Sequence, residues 1–198
     1  LAAFIGALLT TLLVYSLSRV QGKTVVVNLI LVGVAINAMA GGFVTLFSFI
    51  GGTMAQSQVV FWQLGSLAGA GWSSAVITLI ITVIGIVIAC LCAPKMDLLA
   101  LGENQARHLG VNVERFRLCV IILVAALVGV GVAFAGVIAF VGLIVPHAIR
   151  LIIGPQHKWL LPTSAFGGAF VLLVADTCAR TTISTAELPI GMLTSLIG

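Results

Sequence analysis

Long uncharged runs alternate with short polar segments along this chain. A helix needs about 20 apolar residues to cross the hydrocarbon core of a membrane. By this measure, transmembrane helices are predicted at residues 1–17, 25–50 and 73–93. A further span is predicted at residues 159–175, and the start of a last one at residue 188.

The uncharged run at residues 118–149 is longer than one helix needs, and it contains the sequence AGVIAFVGLIVPH. Glycine and proline are expected to interrupt it, because proline removes a backbone donor and clashes inside a helix. The pattern predicts one full span, a break, and then a short or half helix. The residues assigned to the break are Gly142, Pro146, His147 and Arg150, after an earlier glycine at 136. The lone His147 is expected to pack and hydrogen-bond there and not to bind a metal, since no second ligand stands at helical spacing.

The segment VVFWQLGSLAGA at residues 59–70 is too short and too rich in glycine to cross a bilayer. It predicts a short helix, with Trp62 and Trp72 as anchors at the membrane interface. Backbone groups freed by interruptions must be buried in protein or line a watery cavity. Candidate residues for a translocation path are Asn37, Gln63, Gly65 and Ser66, and the alternative for the small ones is close helix packing.

Composition supports a membrane protein, because 61% of the residues are hydrophobic and only 7% are charged. Soluble domains carry about 25% charged residues. The predicted fold class is therefore all-α, a polytopic transmembrane helical bundle, in a single domain over residues 1–198. The four cysteines, at 90, 92, 119 and 178, are predicted to be small buried apolar residues, and no metal site is expected.

Basic residues are distributed unevenly between the two sides of the predicted bundle. Cytoplasmic loops of membrane proteins are enriched in lysine and arginine. Nearly all basic residues fall in alternate loops, which this rule makes cytoplasmic, and only Arg180 lies outside. The net charge of +4 thus reflects topology and indicates no nucleic-acid partner. The residues assigned to the cytoplasmic side are Arg19, Lys23, Lys95, Arg107, Arg115, Arg117, Arg150 and Lys158.

The segment LLALGENQARHLGVNVERFR, residues 98–117, is polar although its neighbours are apolar. It predicts two short helices, the first capped by Asp97 and broken at Gly102, the second starting at Glu103 and ending at Gly110. Such a projection, apolar on one side and charged on another, suits a groove on a partner protein. Spacing alone fits a solvated loop helix equally well.

Several motifs of this chain, taken together, strongly resemble the FecCD family. They are LGENQARHLGVNVERFR, AGVIAFVGLIVPHAIRLIIGPQHKWLLPTSAFGGAFVLLVADTCAR, AELPIGMLTSLIG and FWQLGSLAGAGW. The family comprises permease subunits of ATP-binding-cassette importers for iron-siderophores, haem and cobalamin. Its permeases have ten transmembrane helices and work as homodimers or paired homologues. The resemblance implies a type II permease fold and identifies this chain as helices four to ten, without the first three and most of the last.

The resemblance also implies that residues 97–110 couple the permease to a cytoplasmic ATPase. In the family, an LGE-x-x-A-x-x-LG segment fits a cleft on the ATPase and transmits its closure to the membrane helices. Glu103 either caps the second short helix or pairs with a basic residue on the ATPase, and the sequence does not separate these roles. The residues expected to take part are Leu98, Leu101, Gly102, Glu103, Ala106, Arg107, Leu109 and Gly110.

Arg180 matches a position at which family members present an external arginine to an acidic residue of the substrate-binding protein. The alternative is a local pair with Asp176 or Glu187. The partners that the resemblance implies are a cytoplasmic ATPase dimer, an extracellular or periplasmic substrate-binding protein, a second permease subunit, identical or homologous, and membrane lipid.

The expected function is import across the cytoplasmic (inner) membrane of a prokaryote, with no chemical change of the cargo. The sequence has no G-x-x-x-x-G-K-[ST] motif, so ATP and magnesium are expected on the partner ATPase, and no cofactor on this chain. An ion-coupled secondary transporter is disfavoured because the first three spans carry no charged site for a coupling ion. An intramembrane enzyme is disfavoured because no nucleophile or metal set is present. Iron chelates, siderophore or haem, are the preferred cargo, and cobalamin is the alternative.

Overall fold

The computed structural model describes residues 2–20, 23–24, 26–67, 69–182 and 190–197. Within these residues the fold is an all-α bundle, as predicted, with one pair of two-residue strands that join antiparallel after the first helix. The helices are α1 (Ala2–Leu17), α2 (Val26–Leu64), α3 (Trp72–Ala100), α4 (Glu103–His108), α5 (Val113–Ala135), α6 (Val141–Ile153), α7 (His157–Thr182) and α8 (Ile190–Ile197), and the strands are β1 (Arg19–Val20) and β2 (Lys23–Thr24).

Four of the described helices are long and apolar enough to cross a membrane, judged by length and composition: α2, α3, α5 and α7. Each coincides with a predicted span, and the protein is a multi-pass membrane protein. The apolar helices α1 and α6 are shorter, with 16 and 13 residues. At 1.5 Å per residue they reach about 24 and 20 Å. The predicted start of the last span at Leu188 lies outside the described residues, and α8 begins at Ile190.

Helix packing centres on α5, which lies between α1 and α3. A Cβ atom added at Gly129 of α5 would lie 3.2 Å from the Cβ of Ala7 in α1. One added at Gly85 of α3 would lie 2.4 Å from Cδ2 of Leu127 in α5. Small residues of this kind let membrane helices approach closely, which matters because lipid provides no hydrophobic drive for helix association. The helix α7 packs against α3 and α6.

One end of the bundle, called here the α4 end, carries α4, the start of α5, the end of α6 and the start of α7. The strand pair after α1 lies at this end too, because α1 runs antiparallel to α5 and places Thr11 and Val14 near Val120. All the basic residues assigned to the cytoplasmic side therefore belong to segments at the α4 end, and Arg180 belongs to the opposite end. The charge asymmetry predicted from the sequence is present in the structure.

The second helix differs from its prediction. Residues 51–58, which lie between the span predicted at 25–50 and the short helix predicted at 59–70, are helical apart from a kink at Gly52, where φ is 76° and ψ is −174°. Because residues 53–64 contain no glycine, proline or charged residue, the helix resumes after the kink and continues to Leu64. The short helix predicted at residues 59–70 therefore starts earlier and ends earlier, and residues 65–67 and 69–71 are not helical.

The first of the two predicted coupling helices is not a separate element. The helix α3 continues through Pro94 to Ala100, so residues 97–100 form its last turn. Proline is tolerated in membrane helices where neighbouring helices and local adjustments compensate for its missing donor. Here the adjacent Ala93 is fully buried in the packing of α3. Only the second predicted short helix, α4, stands alone.

The run is divided, as predicted, into a full span, a break and a short helix, but of the residues expected to interrupt it only Gly136 lies at the break. Gly142, Pro146, His147 and Arg150 all lie inside α6. The break lies upstream, between the end of α5 and the start of α6, where Gly136 has a φ of 71° and Phe140 a φ of 64°. Gly136 at positive φ ends α5, whereas Pro146, the sixth residue of α6, removes one hydrogen bond and does not end the helix.

The cysteines also differ from their prediction. Cys90 and Cys92 are half-buried, while Cys119 and Cys178 are exposed, and all are free thiols. Only Cys119 and Cys178 lie on helix faces that point away from the packed interior of this chain.

Candidate functional site

The short helix α4 is closed by a glycine, as the sequence predicts. Gly110 has a φ of 84°, and its N–H donates to the Arg107 carbonyl at 3.0 Å. The N–H of Val111 donates to the Ala106 carbonyl, also at 3.0 Å. These two bonds are the pair that defines a Schellman motif, in which a left-handed residue satisfies the last carbonyls of a helix. Two residues after Gly110, the side chain of Asn112 accepts the N–H of Arg115 at 3.2 Å and caps α5.

The carboxylate of Glu103 lies between two arginines of its own chain. One oxygen pairs with Nη2 of Arg117, in the second turn of α5. The other lies 3.9 Å from Nη2 of Arg107, one turn later in α4. Arg117 also contacts Glu114 across 3.5 Å, and its side chain is only 13% exposed. Charge pairs with one partly buried member hold two elements together more firmly than pairs on an open surface.

The exposed surface of α4 and its flanks combines two leucines with polar side chains, among them Gln105, Arg107 and His108. Leu101 and Leu109 flank α4 and are 66% and 64% exposed, whereas Ala106 between them is fully buried. Large exposed apolar side chains on a protruding element are typical of contact sites. Beside them lies an open groove of about 470 Å³, lined by Arg107, Gly110, Val111, Asn112, Val113 and Glu114.

Asp97 does cap a helix, but the helix is α7. Its Oδ1 accepts the backbone N–H of His157, the first residue of α7, at 3.0 Å. The same oxygen lies 2.6 Å from Nδ1 of the His157 ring. The first N–H groups of a helix have no partner within it. The last turn of α3 therefore provides a hydrogen-bond acceptor for the first N–H of α7, shortly before α4 in the chain.

Arg180 lies far from this site. It is 23 residues beyond the start of α7, which corresponds to about 35 Å along the helix axis. Its Nε donates to Oδ2 of Asp176 at 2.9 Å, and its side chain is 55% exposed. The local pair weighed in the sequence analysis is thus present with Asp176, while Glu187 lies outside the described residues. An exposed arginine in such a pair is still accessible to a partner.

Gly65 and Ser66 take part in a junction of non-helical backbone at the end opposite α4. The N–H of Ser66 donates to the Ala135 carbonyl at 2.9 Å, and the N–H of Ile190 donates to the Gly65 carbonyl at 3.1 Å. A Cβ atom at Gly65 would lie 2.5 Å from the Val137 carbonyl oxygen. Gly65 thus has the close-packing role that was its alternative, and the junction joins the ends of α2 and α5 to the start of α8.

The other residues predicted for a translocation path are not gathered at one place. Gln63 lines an open groove of about 520 Å³ between the two arms of the kinked α2, together with Ser48, whose buried hydroxyl has no hydrogen-bond partner there. Asn37 is exposed on the first arm of α2, outside that groove. His147 and Arg150 are exposed on α6, so the packing role expected of His147 was wrong for this chain.

Sequence reasoning missed three residues of the α4 end: Arg117, His157 and Asn112. Arg117 was counted only as a loop charge, and its partner Glu103 lies 14 positions earlier. His157 was assigned no role, and its partner Asp97 lies 60 positions earlier. The signal for Asn112 was present, since asparagine immediately before an apolar helix is a typical N-cap.

Comparison with known proteins supports the resemblance. The FecCD transport family matches residues 1–198. The chain is 43% identical over 196 residues to the hemin transport system permease protein HmuU of Yersinia pestis, covering 99% of this chain and 58% of that protein. It is 40% identical over 198 residues to the vitamin B12 import system permease protein BtuC of Vibrio vulnificus, covering all of this chain and 59% of that protein.

A solved structure shares the fold. It is described as an inward-facing conformation of a metal-chelate type ABC transporter, and it superposes with a TM-score of 0.87 at 33% identity over 98% of this chain and 61% of that one. The chain thus spans somewhat less than two thirds of the length of the proteins it matches. Over its whole length this chain belongs to the FecCD transport family.

Proposed function

We propose that this chain is the core of a permease subunit in an ATP-driven importer. Two such subunits, identical or homologous, form a pathway between them in the inner membrane of a prokaryote. An external binding protein delivers the cargo, and a cytoplasmic ATPase dimer, which carries ATP and magnesium, supplies the energy. The chain itself performs no chemical reaction and binds no cofactor.

The main observation behind the proposal is that, in a chain of the FecCD family, α4 is a short closed helix flanked by exposed leucines. A single rigid turn of helix, closed by Gly110, presents Leu101 and Leu109 to solvent. Exposed leucines on both sides of a short helix fit an apolar cleft better than they fit water. This segment lies at the end that holds most of the basic residues, which the positive-inside rule makes cytoplasmic.

The proposed cargo is an iron chelate, a siderophore or haem. A relative named as a hemin permease is 43% identical, which supports haem among these. Relatives named as vitamin B12 permeases are 39 to 40% identical, which supports cobalamin as a second candidate. Identities this close do not separate the two, so the cargo is decided by measurement.

The test is reconstitution of the full-length permease with its ATPase and binding protein in liposomes. We expect uptake of haem or a ferric siderophore only when ATP is present on the side of the liposome membrane that carries the ATPase. Cobalamin is offered under identical conditions, and preferential uptake of it would replace the iron chelate as cargo. Uptake driven by a proton or sodium gradient without ATP would overturn the proposal in favour of a secondary transporter.

A substitution at Leu109 tests the coupling role of the segment. Replacing this exposed leucine with serine removes apolar contact area without disturbing the chain's own core, so ATPase binding is expected to weaken by about tenfold. Leu173→Ser, at an equally exposed leucine toward the opposite end of α7, is the matched control and is expected to leave ATPase affinity unchanged. ATPase affinity and ATP-dependent uptake unchanged in Leu109→Ser would remove α4 from the coupling mechanism.

A further inference from the structure

We propose that Glu103 is a positioning residue that fixes α4 to α5 through Arg117, and that it does not bind the ATPase. The assignment rests on the proposed function, because positioning α4 matters only if α4 receives the motion of a partner. It deepens that function because it distinguishes the residues that contact the ATPase from the residue that transmits the motion of α4 to α5.

The first argument is the direction of the Glu103 carboxylate. Each of its two oxygens faces an arginine of the same chain, Arg117 on one side and Arg107 on the other. The side chain is 43% exposed, but its closer contact, with Arg117, directs the carboxylate toward α5 and away from a partner that would dock on the leucines. The carboxylate also makes no capping hydrogen bond to α4. Neither role considered from the sequence therefore matches the observed contacts.

The second argument is the place of Arg117 in the bundle. Its side chain is 13% exposed and is flanked by Glu114 one turn earlier in α5. The neighbouring Phe116 and Val113 are 9% and 2% exposed, so this part of α5 is firmly packed. Arg117 is thus a fixed point, and a carboxylate bound to it ties α4 to a helix that contacts both α1 and α3.

The third argument is that α4 has few other attachments to α5. The covalent connection runs through Gly110 and the exposed Asn112, and Ala106 is the one residue of α4 that is buried. A glycine connection in a left-handed conformation bends more readily than a helix. Without the ion pair, a displacement of α4 by the ATPase would be taken up by bending at this connection. With the ion pair, the same displacement moves the start of α5.

A double-mutant cycle on the full-length permease tests the assignment. The variants are Glu103→Gln, Arg117→Gln and both together, each reconstituted with the ATPase and binding protein. The measurements are the ATPase affinity of the permease and the amount of cargo taken up per ATP hydrolysed. We expect each single variant to lower cargo per ATP by about fivefold with affinity unchanged within about twofold, and the double variant to lose no more than either single one.

Two further variants guard against simple misfolding. Arg117→Lys keeps one positive charge at the site and is expected to recover most of the cargo taken up per ATP. Arg115→Gln removes the same charge from an exposed position two residues away and is expected to behave as the wild type. A Glu103→Gln variant that loses ATPase affinity by tenfold, or losses that add in the double variant, would overturn the assignment and make Glu103 a docking residue. Absence of ATP-dependent uptake in the wild type would instead defeat the proposed function itself.

Discussion

The Oδ1 atom of Asp97 lies 3.0 Å from the backbone nitrogen of His157 and 2.6 Å from its ring Nδ1. The two residues are 60 positions apart, and their contact joins the end of α3 to the start of α7. A single carboxylate oxygen thus supports a helix terminus and holds a side chain in place beside the coupling segment. The favourable interaction of a negative group with a helix N-terminus adds to this contact.

Replacing Asp97 with alanine is expected to destabilise the protein, because the first N–H of α7 loses its acceptor. Loss of a capping side chain costs about 0.5 to 2 kcal/mol. A change of 1 kcal/mol shifts the melting temperature of a chain of this size by roughly 2 to 4 °C. Thermal unfolding in detergent measures the shift, and Asp97→Asn, which keeps the acceptor oxygen, is expected to retain most of the stability. Equal melting temperatures for the alanine variant and the wild type would contradict the capping role.

Replacing Gly110 with alanine is expected to loosen the end of α4. Nothing lies within 4 Å of a Cβ atom there, so the cost comes from the positive φ alone, about 1 to 2 kcal/mol. Gly131 in α5 also has open space around it but an ordinary helical conformation. Gly131→Ala is therefore expected to raise the melting temperature slightly, while Gly110→Ala lowers it and weakens ATPase binding. An unchanged or raised melting temperature in Gly110→Ala would show that the Schellman geometry is not needed.

Replacing Gly136 with alanine is expected to disrupt the backbone junction. Its Cβ atom would lie 2.6 Å from the Trp62 carbonyl oxygen, and its φ is 71°. Since the obstructing atom belongs to the backbone, the neighbouring segment has to move, and the yield of folded protein should fall severalfold in size-exclusion chromatography. Gly69→Ala, in the same region but with nothing within 4 Å, is the matched control. Normal yield of both variants would mean that the junction is not closely packed in the membrane.

Reversing the charge at Arg180 is expected to slow docking of the external binding protein. An exposed charge steers association more than it adds affinity, so the association rate at low salt should fall by about tenfold. Surface-plasmon measurements at low and high salt test this, because the difference shrinks as salt screens the charges. Asp176→Asn frees Arg180 from its local pair and is expected to leave docking intact. If Arg180→Glu binds as fast as the wild type at low salt, the arginine serves only the local pair.

The parts of the fold that follow from local signals were predictable from the sequence. Four of the predicted spans were confirmed because apolar length is read directly from composition along the chain, whereas the span predicted at residues 1–17 is a shorter apolar helix. The end of α4 at Gly110 was confirmed because a glycine with positive φ closes a helix wherever it occurs in this context.

The parts that depend on distant contacts were not predictable. Asp97 precedes a leucine-rich turn and fits a local cap, yet its partner is His157, which folding brings beside it. Glu103 pairs with Arg117 for the same reason. The local signals for the helix break were spread over Gly136, Gly142 and Pro146, and no local pattern showed which of them ends the helix. The observed break at Gly136 is stabilised by backbone contacts from Trp62 and Gly65 that no local pattern contains.

The hydrogen bond from Ile190 to Gly65 has a consequence for biosynthesis. A ribosome delivers residue 65 long before residue 190, so the Gly65 carbonyl waits without this donor while α3 to α7 are made and inserted. A backbone carbonyl without a hydrogen-bond donor is energetically unfavourable in the hydrocarbon core. The region around Gly65 is therefore expected to stay hydrated until α8 arrives and its first N–H replaces the water at this carbonyl.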